Sequence, residues 1–379
     1  MKIVILTGIF PPDAGGPATY IPILAEALIK KNHFIQVITL SENTQWQNNF
    51  PYELLRIKRK QNRITRLIKV ISNIIKIGKR YDVILANGLH LEAVMANMIL
   101  KKPLVHKFVG DYAWEKARNC HWTNLDFEEF QINNKGNIKT QFAKIIRNFY
   151  AKRANCIIVP SNYLKRIVSQ WGVAESKIFV VYNAIPDIEL DNTHHAKITK
   201  TKYSIIYAGR LVQWKNIDCL IRLIKDIQQL SLIIIGEGKE KDNLMKLVKE
   251  LNIEDKIYFL GRKDKKEMYE IIKQSDIFIL FSSYEGFPHI LLEAMKIGIP
   301  IITTNTGGNP ELAKDKLNCL MVEKNNYQQL KDSVKILLSN TNLRNKIIMN
   351  ARETVKEFTV DKMLEQTEEV LKIAAKSIK

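Results

Sequence analysis

A short apolar run that turns into an amphipathic segment, at residues 276–295, constrains the fold most strongly. Residues 276–281 read Asp-Ile-Phe-Ile-Leu-Phe, which is typical of a parallel strand buried on both faces. The residues that follow predict a turn and then a helix that begins near Pro288. Chain direction therefore places Glu285 at the carboxyl end of a strand, which is where open α/β sheets bind their ligands.

Two carboxylates mark this turn and its helix. Glu285 lies on the predicted turn and Glu293 on the predicted helix, with seven residues between them. The free N–H groups and the positive dipole end of such a helix favour an anion. Two carboxylates placed in this way can address two parts of one ligand. The alternative, from these residues alone, is a helix-capping acid followed by an ordinary solvated glutamate.

A second strand and turn follow directly in the chain. Residues 298–304 predict another short strand, and the turn behind it contains the paired glycines Gly307 and Gly308. Because glycine has no Cβ, its backbone N–H group can approach a phosphate or a sugar closely. Further upstream, residues 204–216 predict a strand that runs into Gly209-Arg210 and then Lys215. Two cations around one strand-to-helix turn are the complement that a diphosphate requires.

These motifs, in this order, resemble the retaining, nucleotide-sugar-dependent glycosyltransferases of the GT-B class, family 4 (glycosyl transferases group 1). The resemblance implies an α/β fold of two Rossmann-like domains that face each other across a cleft, with a C-terminal helix that crosses back to the first domain. It implies an acceptor-side domain at residues 1–186, a nucleotide-sugar domain at 187–358 and the returning helix at 359–379. The implied activity is sugar transfer from a nucleotide-diphosphate sugar to a hydroxyl group, in assembly of a cell-surface glycan or lipid-linked oligosaccharide.

The resemblance also implies roles for single residues. Arg210 and Lys215 would hold the diphosphate, Glu293 the ribose hydroxyls, and Glu285 the donor sugar together with the loop at 307–311. The residues implied in catalysis are Glu285, Arg210, Lys215 and Asp111. The residues implied in donor binding are Gly15, Gly16, Arg262, Phe287, Pro288, Glu293, Gly307, Gly308, Asn309 and Glu311.

Two features of the first half bear on that assignment. Gly15 and Gly16 stand before Pro17 at a predicted helix start, where they would form either a phosphate pocket or simply a tight turn. Residues 110–122 gather aromatic and charged side chains behind another strand, which suits an acceptor sugar. Family members often have His here, whereas this chain has Gly110-Asp111. A packed surface loop is the alternative interpretation.

Neither a metal nor a further cofactor is expected. The sequence contains no Asp-x-Asp pair and no Cys/His cluster with zinc spacing. Its four cysteines stand singly, as is typical of reduced thiols in a cytosolic protein. No run reaches the roughly 18 apolar residues that a membrane span needs. We therefore expect a cytoplasmic protein, either free or peripheral at the inner face of the cell membrane.

The net charge of +19 requires an anionic partner or substrate. Positive charges concentrate between residues 56 and 80, where apolar residues recur at helical spacing. The cations are Arg56, Lys58, Arg59, Lys60, Arg63, Arg66, Lys69, Lys76, Lys79 and Arg80. This segment is either an ordinary crossover helix or a helix that binds an anionic membrane surface.

The expected partners are thus a nucleotide-sugar donor, a glycan or lipid-linked acceptor and the membrane surface, but no nucleic acid. The sequence lacks the aromatic-interleaved motifs of a nucleic-acid-binding protein. A sugar-nucleotide epimerase of related GT-B fold is the alternative enzyme.

Overall fold

The computed structural model describes residues 1–13, 15–45, 49–133, 136–188, 199 and 201–377. The chain divides into two compact units, of which unit 1 comprises Met1–Tyr182 with Asp361–Lys379 and unit 2 comprises Asn183–Val360. The boundaries expected from sequence, at 186 and 358, lie within a few residues of these divisions. Residues 187–201 form a polar stretch with the composition of a linker, and most of them lie outside the described residues.

Unit 1 is built on one parallel sheet. Its strands are β1 (Lys2–Thr7), β2 (Phe34–Ser41), β3 (Glu53–Lys58), β4 (Val83–Asn87), β5 (Leu104–Lys107), β6 (Cys156–Val159) and β7 (Ile178–Val180). Its helices up to this point are α1 (Gly16–Lys30), α2 (Arg63–Gly78), α3 (His90–Leu100), α4 (Tyr112–Asn119), α5 (Phe127–Ile132), α6 (Ile138–Lys152) and α7 (Asn162–Ser169).

The strand order of unit 1 is β3-β2-β1-β4-β5-β6-β7, with every pairing parallel. β4, β5 and β6 are buried along their whole length because helices cover both sheet faces. Local signals fix several helix starts. The Ser161 hydroxyl accepts the Leu164 N–H at 3.1 Å and caps the start of α7.

Unit 2 repeats the same architecture. Its strands are β8 (Tyr203–Ala208), β9 (Leu230–Ile235), β10 (Ile257–Gly261), β11 (Ile277–Leu280), β12 (Ile301–Thr304) and β13 (Leu320–Val322). Its helices are α8 (Ile217–Asp226), α9 (Lys241–Leu251), α10 (Lys265–Gln274), α11 (His289–Ile297), α12 (Asn309–Leu312), α13 (Tyr327–Ser339) and α14 (Thr341–Val355). The sheet order is β10-β9-β8-β11-β12-β13, again all parallel.

The last helix, α15 (Val360–Lys376), packs on unit 1. Its Thr367 hydroxyl lies 3.2 Å from the Tyr20 hydroxyl of α1, and the buried Glu368 carboxylate accepts hydrogen bonds from Lys31 at 2.8 Å and His33 at 3.0 Å. These contacts join the two ends of the chain in one unit.

Both sheets have a point at which the strand order reverses. In unit 1 it lies between β1 and β4, and in unit 2 between β8 and β11. Loops that leave the carboxyl ends of such neighbouring strands diverge to opposite faces and leave a crevice between them, which is where α/β folds bind ligands. Two doubly wound parallel sheets of this kind confirm the predicted α/β fold with two Rossmann-like domains.

Candidate active site

The loops at the β8/β11 junction bring Lys215 and Glu285 together. Glu285 follows β11, is almost fully buried and accepts a hydrogen bond from the Ser282 hydroxyl at 2.6 Å. The same carboxylate oxygen accepts a hydrogen bond from the Lys215 Nζ, which reaches it from the loop behind β8. The family resemblance implied separate roles for these two residues, and the structure joins them as a largely buried ion pair.

Asn216 clamps the two loops to each other. Its φ of 50° is left-handed, which Asn tolerates better than most residues. Its side-chain amide donates to the Phe281 carbonyl at 3.1 Å and to the Ser283 hydroxyl at 2.8 Å, while the Ser283 N–H donates to the Trp214 carbonyl at 2.8 Å. Neither Asn216 nor Ser282 is among the residues expected from sequence, where the available signal is an Asn directly after the candidate lysine.

The turn that follows β12 contacts the backbone of Glu285. The Gly308 N–H donates to the Glu285 carbonyl at 2.9 Å. Gly307 has a φ of +59°, and a Cβ built there would lie 2.0 Å from the Glu285 carbonyl oxygen. Only glycine fits this approach, so the paired glycines hold the position of Glu285.

Asn309, which the sequence placed in the donor site, has another observed role. Its side chain is fully buried, and its amide nitrogen donates to the Thr304 carbonyl at 3.1 Å and the Thr303 hydroxyl at 3.1 Å. These bonds anchor α12 against β12, so Asn309 acts on the site through the backbone of its turn.

Glu293 occupies the inner face of α11. Its side chain is almost fully buried, and its Oε1 accepts a hydrogen bond from the Lys265 Nζ of α10. Its Oε2 is buried and finds no hydrogen-bond partner within the described part of the chain. Burial raises the pKa of the neighbouring Tyr269 hydroxyl, and both the Glu293 charge and a hydrogen bond to the Glu293 side chain raise it further. A buried carboxylate oxygen without a donor is an open position for a ligand hydroxyl.

The remaining unit 2 candidates line the same sheet edge. Arg210 follows β8, is exposed and places its guanidinium 5.8 Å from the centre of the Trp214 ring. Arg262 follows β10 and is exposed, whereas Phe287 is buried in the turn and Pro288 is the N-cap residue of α11. The exposed cations therefore stand at the mouth of the sheet, outside the buried Lys215–Glu285 pair.

Asp111 has a structural role in unit 1. It is fully buried, its Oδ1 accepts the Ala113 N–H at 2.8 Å as the N-cap of α4, and its Oδ2 accepts from Arg147 and from Gln131 at 3.0 Å. The segment predicted as an aromatic acceptor loop contains this helix, and its Trp114 is buried. The geometry explains why an aspartate stands here, and it gives the catalytic prediction for Asp111 no support.

The β1–α1 loop in unit 1 is braced by part of the basic segment. Arg56 donates to the Pro11 carbonyl at 2.8 Å, while Arg59 donates to the Gly8 carbonyl at 3.0 Å and pairs with Asp13. Gly15 is the N-cap residue of α1 with a φ of 148°. Arg56 and Arg59 thus hold the loop that carries Gly15 and Gly16, and these two arginines are not part of a freely solvated cationic face.

Neither a metal-binding cluster nor a membrane-spanning helix occurs within the described ranges. Among those residues, no three His, Cys, Asp or Glu side chains converge as a metal site. No helix among them is long and apolar enough to cross a membrane.

The two halves of the chain match two family models. The family described as Glycosyltransferase Family 4 matches residues 14–187, and the family described as Glycosyl transferases group 1 matches residues 191–354. An uncharacterized glycosyltransferase of Methanocaldococcus jannaschii is 27% identical over 403 aligned residues, which cover 99% of this chain and 98% of the other.

A relative whose name states its activity aligns with a smaller part of the chain. The N-acetylgalactosamine-N,N'-diacetylbacillosaminyl-diphospho-undecaprenol 4-alpha-N-acetylgalactosaminyltransferase of Campylobacter jejuni is 29% identical over 231 residues, 59% of this chain and 62% of its own length.

Solved structures share the fold at lower identity. HepE of Anabaena in complex with UDP-glucose has a TM-score of 0.78 at 20% identity, covering 98% of this chain and 99% of that one. The sucrose-phosphate synthase of Thermosynechococcus elongatus has a TM-score of 0.78 at 18% identity, covering 98% of each chain.

Proposed function

The chain belongs to family 4 of the GT-B glycosyltransferases, and from this premise we propose that it transfers a sugar from a nucleotide-diphosphate sugar to an acceptor hydroxyl with retention of configuration. The observation that carries the proposal is the Lys215–Glu285 pair at the β8/β11 junction, with Glu293 on the helix behind it. Arg210 and Lys215 bind the diphosphate, Glu293 the ribose hydroxyls, and Glu285 with residues 307–311 the donor sugar.

The unpaired oxygen of Glu293 supports its role. A ribose hydroxyl can donate to Oε2 while Lys265 continues to hold Oε1. The exposed turn that ends β10 at Arg262 takes the base, largely through its backbone. Gly15 and Gly16 form the phosphate-binding turn of unit 1. Phe287 and Pro288 set the entry angle of α11 and thereby the position of Glu293.

Fixed cations suit the chemistry of the step. Sugar transfer passes through an oxocarbenium-like transition state in which the departing diphosphate gains negative charge. Groups that stabilise this charge more strongly than the ground state accelerate the reaction. Arg210 and the Lys215 ammonium supply such groups, and the departing phosphate is the base that takes the acceptor's proton on the same face of the sugar.

Replacing each glutamate separately tests this division of roles. We expect Glu293→Ala to weaken nucleoside diphosphate binding about tenfold to a hundredfold, because a hydrogen bond to a charged group is lost. Glu285→Ala should mainly lower turnover, because its partner is the reacting sugar. Calorimetry and initial rates measure the two effects, with Glu353→Ala, in an exposed ion pair with Lys356, as the control. Unchanged binding and rates in both variants would remove Glu285 and Glu293 from the donor site.

Transfer is expected to continue at its full rate after divalent metals are removed. Arg210 and Lys215 supply the positive charge that a metal provides in some other glycosyltransferases. Initial rates before and after treatment with EDTA measure the effect. Loss of transfer that magnesium or manganese restores would contradict this electrostatic account.

The acceptor we propose is lipid-linked and lies at the cytoplasmic face of the membrane, in assembly of a cell-surface glycan. The name of the Campylobacter relative, which contains diphospho-undecaprenol, supports this choice, as does the net charge of +19. Seven cations of the basic segment are exposed, namely Lys58, Lys60, Arg63, Lys69, Lys76, Lys79 and Arg80.

A panel of nucleotide sugars, scored first by thermal stabilisation and then by product analysis with and without acceptor, tests the proposed activity. Product that forms only when acceptor is present supports a transferase. Conversion of the nucleotide sugar to its epimer without acceptor would instead support the alternative enzyme.

A further inference from the structure

Helix α6 has an inverted polarity. Its exposed face carries Ile138, Phe142 and Ile145, whose exposed fractions are 85%, 62% and 63%. Its buried face carries Thr140, Lys144 and Arg147 at the same helical spacing. A helix on the surface of a water-soluble domain normally shows the opposite pattern. Large apolar side chains are therefore presented outward while charged ones are kept inside.

Specific bonds fix this orientation. The Lys144 Nζ donates to the Phe130 and Asn133 carbonyls, the latter at 2.6 Å. Arg147 pairs with the buried Asp111 and donates to the Gln131 side chain at 2.9 Å. Rotating α6 to bury its apolar side would leave these charges without partners, which costs more than the exposure of apolar surface. The outward stripe is thus a fixed feature of unit 1.

The neighbouring helix α3 extends this stripe. Met95, Met98 and Ile99 are exposed on α3, and α3 packs against both α2 and α6. The connections from β3 to β4, β4 to β5 and β5 to β6 all run in one direction across the sheet, so right-handed crossovers place α2, α3 and α6 on one sheet face. We call the exposed apolar side chains of α3 and α6 the apolar face. Its members are Met95, Met98, Ile99, Ile138, Phe142 and Ile145.

Cations border the apolar face on α2 and at the end of α3. The sequences of α2 and α6 contain no Asp or Glu, and α3 contains one, Glu92, whose pKa is raised by burial. Arg63, Lys69 and Lys76 are exposed on α2, and Lys101 is exposed at the end of α3. Apolar side chains bordered by lysines and arginines are the composition of surfaces that lie in the interface of an anionic bilayer.

We infer that the apolar face inserts into the acyl boundary of an anionic membrane leaflet while the cations of α2 contact the lipid phosphates. This inference deepens the proposed function, since it rests on an acceptor that lies in the membrane. Binding then has two parts: an electrostatic part from α2 that salt screens, and an apolar part from α3 and α6 that salt leaves in place. A second copy of this chain is a poorer occupant, because a two-fold contact would oppose like charges.

Vesicle sedimentation tests the inference with three variants. The apolar-face variant is Phe142→Ser/Ile145→Ser, and the charge variant is Arg63→Gln/Lys69→Gln/Lys76→Gln. The matched control, Ile336→Ser/Met349→Ser, removes exposed apolar side chains from unit 2. Every substituted side chain is exposed, so all three variants should unfold at the temperature of the parent. The vesicles contain equal parts of phosphatidylglycerol and phosphatidylcholine and are used at low and high salt.

At low salt, the apolar-face variant should bind at least about tenfold more weakly than the parent, whereas the control should bind like the parent. At high salt the parent should retain binding that the apolar-face variant lacks, and the charge variant should show a smaller salt dependence. Parent-like binding by the apolar-face variant would overturn the inference. The inference would also be overturned if sedimentation velocity showed that the parent is a dimer and that the apolar-face variant is a monomer.

A transfer assay without membranes tests the proposed function separately from the membrane inference. All proteins are assayed for sugar transfer to a water-soluble acceptor, without vesicles, where equal rates are expected. If the parent transfers no sugar to any acceptor but binds vesicles through the apolar face, the proposed activity fails and the membrane inference stands. If the parent transfers sugar but the apolar-face variant binds vesicles as strongly as the parent, the membrane inference fails and the proposed activity stands.

Discussion

Lys215→Ala is expected to lower turnover at least about a hundredfold, which is the size of effect found when one preorganised group facing a developing charge is removed. The ammonium has two tasks in the proposed mechanism. It pairs with Glu285, and it faces the departing diphosphate during transfer. Glu285 accepts hydrogen bonds from Lys215 and from the Ser282 hydroxyl, and the variant removes the first of these. The buried carboxylate therefore loses the cation that balances its charge.

Affinity measurements separate this role from general damage to the site. Affinity for the nucleoside diphosphate should fall, while affinity for the free nucleoside should stay near that of the parent, because Lys215 faces the phosphates. Lys331→Ala, which breaks a partly exposed pair with Asp226 elsewhere in unit 2, is the matched control and should keep full turnover. Equal losses of affinity for nucleoside and nucleoside diphosphate would contradict the assignment of Lys215 to the diphosphate.

Gly307→Ala is expected to lower both folding stability and donor affinity, although it removes no functional group. The new Cβ would lie 2.0 Å from the Glu285 carbonyl oxygen, and the residue would keep a φ of +59° that alanine disfavours. The turn must move away from Glu285, which lengthens the bond from the Gly308 N–H. We expect a loss of about 2 kcal/mol in folding stability, or roughly 4 to 8 °C in Tm for a domain of this size. Donor-sugar affinity should fall at least about tenfold.

Gly136→Ala is the control for this glycine, because the added Cβ meets its nearest atom, the Gln141 amide nitrogen, at an ordinary 3.6 Å. Thermal unfolding and donor titration measure both variants. A Gly307→Ala protein with the parent's Tm and donor affinity would show that the turn does not hold Glu285.

The structure also refines the membrane hypothesis drawn from composition. The hypothesis placed docking on a cationic helix within residues 56–80, but Arg56 and Arg59, which lie in that range, are bound to the β1–α1 loop. Substituting Arg59 would damage that loop and give a misleading loss of activity. The charge variant above is therefore restricted to exposed side chains of α2.

Several elements were predictable because their signals are local. Short apolar runs predicted strands, and the helix expected within residues 359–379 corresponds to α15. The turn with Glu285 and the helix with Glu293 stand where the sequence placed them, since α11 begins directly after Pro288. Strand direction alone put these residues at the carboxyl edge of a sheet.

The sequence by itself determined the class of fold, the order of its elements and the strand ends that carry the candidate residues. Only the tertiary structure decided which side chains meet. Lys215 and Glu285 are 70 residues apart, and they pair because β8 and β11 are neighbours in the sheet. The inward side of α6 was likewise undetermined, because helical periodicity shows two faces but not which one packs. Buried Asp111 and the carbonyls around Lys144 select the charged face, and those partners come together only when the chain has folded.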